Sequence, residues 1–239
     1  MATLWQQIQS NLVFLGICLG IFLALMVLAK VAEHFLPDMR KTPAARRVSI
    51  IGVCAAIAAV VHMLDFPLLF LAPEFYKVDF SELPVMLCGF YLGPSATVVC
   101  EAVKILVKLL FKGTSTAFVG DFANFVIGCA LVLPASIVYH IHKSKKSAVL
   151  GLILGVATMT VFGSIFNGIY LLPKFAELYG MPLEAILAAG SAINVSIHDV
   201  STFVIFAVAP LNLLKGTAVA VLTMLLYKRV AKPLFAAGK

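Results

Sequence analysis

Apolar runs of about 20 residues, each long enough to span a hydrocarbon core as a helix, alternate with short polar or basic breaks along nearly the whole chain. The first covers about Asn11 to Lys30 and the second Val48 to about Leu64. A third begins near Pro84 and turns at Gly93-Pro94, and a fourth, about Ser95 to Phe111, is interrupted by Glu101, Lys104 and Lys108. The fifth runs from Phe122 to Tyr139, the sixth from about Ala148 to Leu172, and the last ends before Lys228 and Arg229. The pattern predicts about seven membrane helices. Two stretches fall between them on the side taken as outer. One is a Phe-, Pro- and acid-rich segment over 65–82, the other a longer connection over about 173–201.

Composition agrees with this reading. Of 239 residues, 62% are hydrophobic and only 12% charged, with a mean hydropathy of +1.06. Soluble domains are near half apolar and a quarter charged, so the chain is an all-α integral membrane protein, and no soluble domain remains once the spans are placed. The net charge of +7 therefore concerns orientation, and no nucleic-acid partner is expected. Arg40, Lys41, Arg46, Arg47, Lys143, Lys145, Lys146, Lys228, Arg229, Lys232 and Lys239 all thread to one side. Only Lys77, Lys112 and Lys174 fall clearly on the other. The positive-inside rule makes the first side cytoplasmic, with the C-terminus inside and the N-terminus outside. Met1 to Ser10 carry no charge, unlike the basic leader of a secretory signal, which points to an uncleaved first helix.

Catalytic chemistry finds no constellation. There is no G-x-x-x-x-G-K-[ST] and no H-E-x-x-H, and His34, His62 and His198 stand apart. Val119-Gly120-Asp121 carries part of an intramembrane aspartyl-protease pattern without a second buried Asp. The five cysteines are scattered without a CxxC and read as small apolar residues. No catalytic residue, metal site or cofactor is expected.

Depth singles out three polar side chains. Counting back from Lys228 at 1.5 Å per residue puts Lys215 roughly 20 Å and Asn212 roughly 24 Å from the inner boundary. Counting forward from Ala148 puts Asn167 at roughly 28 Å. All three converge on the outer half of the bilayer, where the aromatic loop 65–82 folds over them, so a pocket open to the outside is expected. A buried ammonium costs at least about 2.5–3.5 kcal/mol at the centre of a membrane helix and needs a partner, cavity or ligand. Its plain alternative is a salt bridge to Glu101, and that of each Asn is a bond to a neighbouring helix. Glu101, Lys104 and Lys108 share one helix face and favour a self-satisfied stripe. Gly52, Ala55, Ala56 and Ala59 form a second stripe, of small residues, suited to close helix approach within the chain or with a partner.

Five segments, in order, are similar to one family: 66–84 (FPLLFLAPEFYKVDFSELP), 89–94 (GFYLGP), 122–125 (FANF), 165–173 (IFNGIYLLP) and 210–216 (PLNLLKG). Over about 46–232 the chain resembles the riboflavin-specific substrate-binding subunits (S components, RibU type) of energy-coupling factor (ECF) transporters. The resemblance implies a six-helix S-component bundle over 46–239. An additional N-terminal membrane helix and basic linker would then occupy 1–45. It further implies that Asn167, Asn212 and Lys215 bond the isoalloxazine ring, with Tyr76 and Phe80 packing it or closing the pocket. Val78, Asp79 and Glu82 would serve the ribityl chain, and Asn124 completes the implied substrate set. Asn amides both give and take hydrogen bonds and an ammonium donates, as the alternating edge of a flavin requires. The family's partners would be a transmembrane T subunit, docked on Gly52, Ala55, Ala56 and Ala59, and two ATP-binding subunits. Riboflavin would be cargo rather than cofactor. The first helix lies outside the six-helix pattern and the connection at about 174–201 is long, which leaves FMN, an analogue or another vitamin as the alternative ligand.

Overall fold

The computed structural model describes residues 12–37 and 42–236, with side chains as far as Tyr227. Met1 to Asn11, Arg40, Lys41 and the side chains of Lys228, Arg229, Lys232 and Lys239 lie outside the described residues, and with them part of the charge pattern behind the orientation. Helix α1 (Leu12–Phe35) is followed by α2 (Ala44–Met63), which starts directly after Pro43. The outer loop then folds into a minimal antiparallel hairpin of β1 (Phe66–Pro67) and β2 (Lys77–Val78), with Phe66 opposite Val78.

Helix α3 (Glu82–Leu92) has 11 residues, a rise of roughly 16 Å. It stops at Gly93, whose φ of 104° is open to glycine and strained for other residues. Pro94 then begins α4 (Pro94–Lys112), at the first helical position, where a missing N–H is harmless. The expected turn at Gly93-Pro94 is present. After it come α5 (Val119–His142) and α6 (Lys145–Phe166), the latter capped by Ser144, whose Oγ accepts from Ser147 N at 3.1 Å. A single π turn (Asn167–Leu171) leads into α7 (Leu172–Tyr179), then α8 (Leu183–Ser191) and α9 (Val200–Phe203). The long outer connection is thus largely helical. A second π turn (Val204–Val208) opens the last helix, α10 (Ala209–Ala236).

Among the described residues, five helical stretches are long and apolar enough to cross a membrane: Leu12–Phe35, Ala44–Met63, Val119–His142, Lys145–Tyr179 and Val200–Tyr227. Helices α3 and α4 complete the bundle without meeting that criterion. The first is too short and the second carries Glu101, Lys104, Lys108 and Lys112; their charges are buried in protein rather than lipid, with Glu82, Glu101 and Lys104 at most 1% exposed. A helix surrounded by other helices is free to carry paired charge.

Close helix approach holds the bundle together. A Cβ on Gly151 or Gly155 of α6 would lie 2.7 or 2.3 Å from the carbonyl oxygens of Ala135 and Leu131 on α5, so only glycine permits this backbone contact. Below it, Phe90 of α3 stacks on Tyr139 at 4.4 Å between ring centroids, and the hydroxyls of Tyr139 and Tyr227 are 3.0 Å apart.

Helix α1 joins this bundle rather than standing apart. It packs on α4 and α5 through Ala29, which is fully buried, and through Phe14–Phe122 and Phe22–Phe125 ring contacts. Glu33 Oε1 accepts from Ser95 N at 2.8 Å and from Ser95 Oγ at 2.7 Å, at the start of α4. Arg47 reaches the same Ser95 Oγ at 2.6 Å.

The small-residue stripe of α2 divides. Ala55 and Ala59 are fully buried against the bundle, whereas Gly52 and Ala56 are exposed. At 3.6 residues per turn the four positions span a broad arc, and the edge of the packed face runs through it.

Candidate functional site

A cavity of about 550 Å³ lies between the outer loop, the first turns of α5, the outer end of α6 with its π turn, α7 and α10. Two π turns, one in each of the last two spans, shift the helix register where Asn167 and the start of α10 face it; such turns recur at functional sites. Asn167, Asn212 and Lys215, each at most 8% exposed, all line it. The outer loop forms its roof. Tyr76 donates its hydroxyl to Asn167 Oδ1 at 2.7 Å, and Asn167 Nδ2 in turn donates to Gly163 O at 2.7 Å. Burial beside Tyr179 pushes the Tyr76 phenol above its ordinary value, so it stays a donor. Asn212 Nδ2 is a buried donor without a hydrogen-bond partner among the described residues. Gly163 makes room for it, since a Cβ there would lie 2.7 Å from that nitrogen.

The floor is ionic. Lys215 Nζ stands 3.1 Å from Asp79 Oδ2 and 3.1 Å from Glu82 Oε1. His62 Nδ1 lies 3.2 Å from the same Asp79 oxygen, and Asp79 Oδ1 accepts from Ser81 N at 2.8 Å. Burial opposes the charge on Asp79, but Lys215 and then His62 hold its carboxyl well below the usual range. Behind this lies a second ammonium: Lys104 Nζ meets Glu101 Oε1 at 2.5 Å, Ser81 Oγ at 3.0 Å and Glu82 Oε1 at 3.4 Å. Gly128 of α5 provides the space, because a Cβ there would lie 2.2 Å from Glu101 Oε1. Each buried ion costs several kcal/mol to desolvate, and this density of partners is what offsets it.

A sequence model described as "ECF transporter, substrate-specific component" matches residues 46–227. The chain belongs to that family. The riboflavin transporter RibU of Staphylococcus aureus (strain TCH60) is 35% identical over 186 residues, covering 78% of this chain and 90% of the relative. The riboflavin transporter FmnP of Bacillus subtilis (strain 168) is 28% identical over 183 residues, covering 76% and 90%. A solved structure of the S component of a bacterial ECF transporter superposes with a TM-score of 0.63 at 34% identity, covering 80% of this chain and 99% of that one.

In this S component the cavity gathers Tyr76, Val78, Asp79, Asn124, Asn167, Asn212 and Lys215 from the expected set. Two expected residues lie elsewhere. Phe80 turns away, packing on Phe66 at 6.1 Å between ring centroids and on the core beneath α2 and α3. Glu82 sits below the floor and reaches the cavity only through Lys215. The alternative partner of Lys215 is also corrected: its acids are Asp79 and Glu82, because Glu101 is engaged one turn away by Lys104.

Other lining residues escape a sequence reading. His62 looks isolated until the fold brings Asp79 to it. Lys108 reads as part of a self-satisfied stripe with Glu101 and Lys104, yet it leaves Glu101 to Lys104 and meets Asp121 Oδ1 at 2.5 Å and Gly113 O at 3.0 Å. Phe175 and Tyr179 come from α7, in a connection whose helical form brings them to the wall.

Proposed function

We propose that this S component captures riboflavin in the outer cavity, for uptake driven by partner subunits. The observation that carries the reading is the joint lining of one cavity by Asn167, Asn212 and Lys215, with an unpartnered amide donor on Asn212. A flavin edge alternates carbonyl acceptors with one N–H donor, which two amides and an ammonium complement. The volume falls within the ~300–1,000 Å³ of small-molecule sites, and Tyr76, Phe175 and Tyr179 supply aromatic surface for the ring. The names of the relatives support the same ligand. Binding requires the loop to exchange at least the Tyr76–Asn167 bond for bonds to the ring. The protein performs no covalent chemistry in this reading. Titration of purified protein with riboflavin tests it, through quenching of flavin fluorescence with one-to-one stoichiometry. Folded protein that leaves the fluorescence unchanged would remove the proposal.

The partners proposed are a transmembrane T subunit and two ATP-binding subunits, with the C-terminus cytoplasmic and the cavity facing out. Residues 46–239 form the substrate domain, and 1–45 an appended helix and linker. Docking is assigned to the exposed half of the α2 stripe, Gly52 and Ala56, while Ala55 and Ala59 let α2 sit close on the bundle. Ala56→Leu should leave riboflavin affinity within about twofold and abolish uptake in cells holding the partner subunits. Normal uptake by that variant would move the docking face elsewhere.

A further inference from the structure

At the end of the bundle opposite the cavity, α6 and α10 enclose a second space that ligand capture does not use. It is a surface groove of about 730 Å³, and apart from Lys145 and Thr217 every lining residue is apolar. Leu152 and Val156 form its floor, at most 9% exposed, while Ile153, Val221 and Leu225 stand along its rims, each more than half exposed.

The length and depth of this groove match one leaflet. On α6 it runs from Lys145 to Ala157 and on α10 from Leu225 to Leu213, a step of twelve residues on each, about 18 Å at the helical rise. Half of a ~30 Å hydrocarbon core is about 15 Å. Lys145 precedes Asn167 by 22 residues, roughly 33 Å of helix, which puts it at the membrane interface opposite the cavity. Width narrows the choice of occupant. A Cβ on Gly216 would lie 3.3 Å from both methyls of Val156, so α6 and α10 nearly touch at the floor. Another helix, about 10–12 Å across, can only ride over such a furrow, whereas a hydrocarbon tail lies within it.

Charge at the mouth narrows it further. Lys145 is exposed and has no ion-pair or hydrogen-bond partner for its ammonium among the described residues. No Asp or Glu occurs from 139 to 176 or from 200 to 239. Lys145 also opens α6, where Ser144 Oγ accepts from Ser147 N at 3.1 Å. The N–H groups of Lys145 and Lys146 are left without an intrahelical acceptor. An ammonium and a helix N-terminus at headgroup level both attract an anion.

We infer that this groove seats one acyl tail of an anionic phospholipid, whose phosphate is held at Lys145. The tail gains packing along Leu152 and Val156, and the headgroup supplies the counter-charge that neither helix provides.

The test places the full chain in bilayers of equal parts phosphatidylglycerol and phosphatidylcholine with the same acyl chains. Lipids retained in mild detergent are then counted by native mass spectrometry. The unsubstituted protein should keep one phosphatidylglycerol, favoured over phosphatidylcholine by about fivefold or more, as one lysine at the headgroup level provides. Lys145→Gln should bring that ratio close to one, and Lys145→Glu should invert it. Lys30→Gln alters another exposed lysine at the same end of the bundle, off the groove, and should change the ratio by less than about twofold. Thr217→Trp, which fills the groove from its rim, should lower retention of both lipids about tenfold through lost packing of the tail. The Lys145 variants should keep riboflavin affinity within about twofold, which reports that they are folded and reads the flavin site separately. Equal retention of the two lipids by the unsubstituted protein overturns the assignment. So does an effect of Lys30→Gln as large as that of Lys145→Gln, or a cross-link from Val221→Cys to a subunit of the assembled transporter, which gives the groove to a protein.

Discussion

Two lysines sit among carboxylates in the core of this protein, and they differ in one respect. Lys104 is fully buried and pairs with Glu101 from its own helix, one turn away, and with Glu82. Lys215 pairs with Asp79 and Glu82, 136 and 133 residues distant, and forms part of a cavity wall. Both charges are expensive, and both are offset by comparable partners. Access separates them: one ammonium is sealed between helices, while the other is reachable by a molecule entering under the outer loop. Burial of a charge identifies a cost, and only the space beside it identifies a use.

The comparison breaks most readily at Lys104. Lys104→Ala leaves Glu101 and Glu82 short of a counter-ion and should cost about 3–5 kcal/mol of stability, read as a large drop in the thermal unfolding temperature in detergent. Adding Glu101→Gln to that variant should recover part of the loss. Lys215→Ala should instead lower riboflavin affinity about a hundredfold, near 2.7 kcal/mol, with a smaller thermal shift because Asp79 retains His62 and Ser81 N. If both lysine variants lose binding and stability in equal proportion, the distinction between a sealed and an accessible charge disappears.

Asn212→Ala sharpens the contrast further. It should weaken riboflavin about tenfold with no thermal penalty, since the amide nitrogen it removes has no hydrogen-bond partner among the described residues. A marked fall in the unfolding temperature would mean that Asn212 is structural instead. The smallest effect expected is that of pH. Asp79 is held below its ordinary value of 3.8, so its contribution is fully present above that value and is lost as pH falls through the lower folded value. The Lys215–Asp79 contact should hold unchanged across about pH 5–8, and hydrogen exchange in the 65–81 loop should rise only in stronger acid. A rise already near neutrality would assign the control of the loop to another group.

Much of this was visible along the chain. Runs of apolar residues located the long helices, and Gly93-Pro94 marked the reversal between α3 and α4. Asn167, Asn212 and Lys215 stood out because lipid-spanning segments penalise polar atoms wherever they occur. Other features were not visible. Phe80 looked equivalent to Tyr76, yet the turn from β2 into α3 points it toward the core. Ala55 and Ala56 belong to one stripe, but the packed edge of α2 buries the first and exposes the second. The helical connection after α6 carries Phe175 and Tyr179 to the cavity, although their sequence suggested only a long loop.

By itself, then, the sequence determined that the chain lives in a membrane, roughly where it crosses, which polar residues demand an explanation, and which family it resembles. Hydropathy, helical period and the cost of a buried charge are local properties, carried by each segment regardless of the rest. The tertiary structure decided which acids hold Lys215, that α1 leans on α4 and α5, which half of the alanine stripe is exposed, and that Lys108 pairs with Asp121 across two helices. Those outcomes depend on how helices distant in sequence meet, where a rotation of a fraction of a turn exchanges a buried partner for an exposed face.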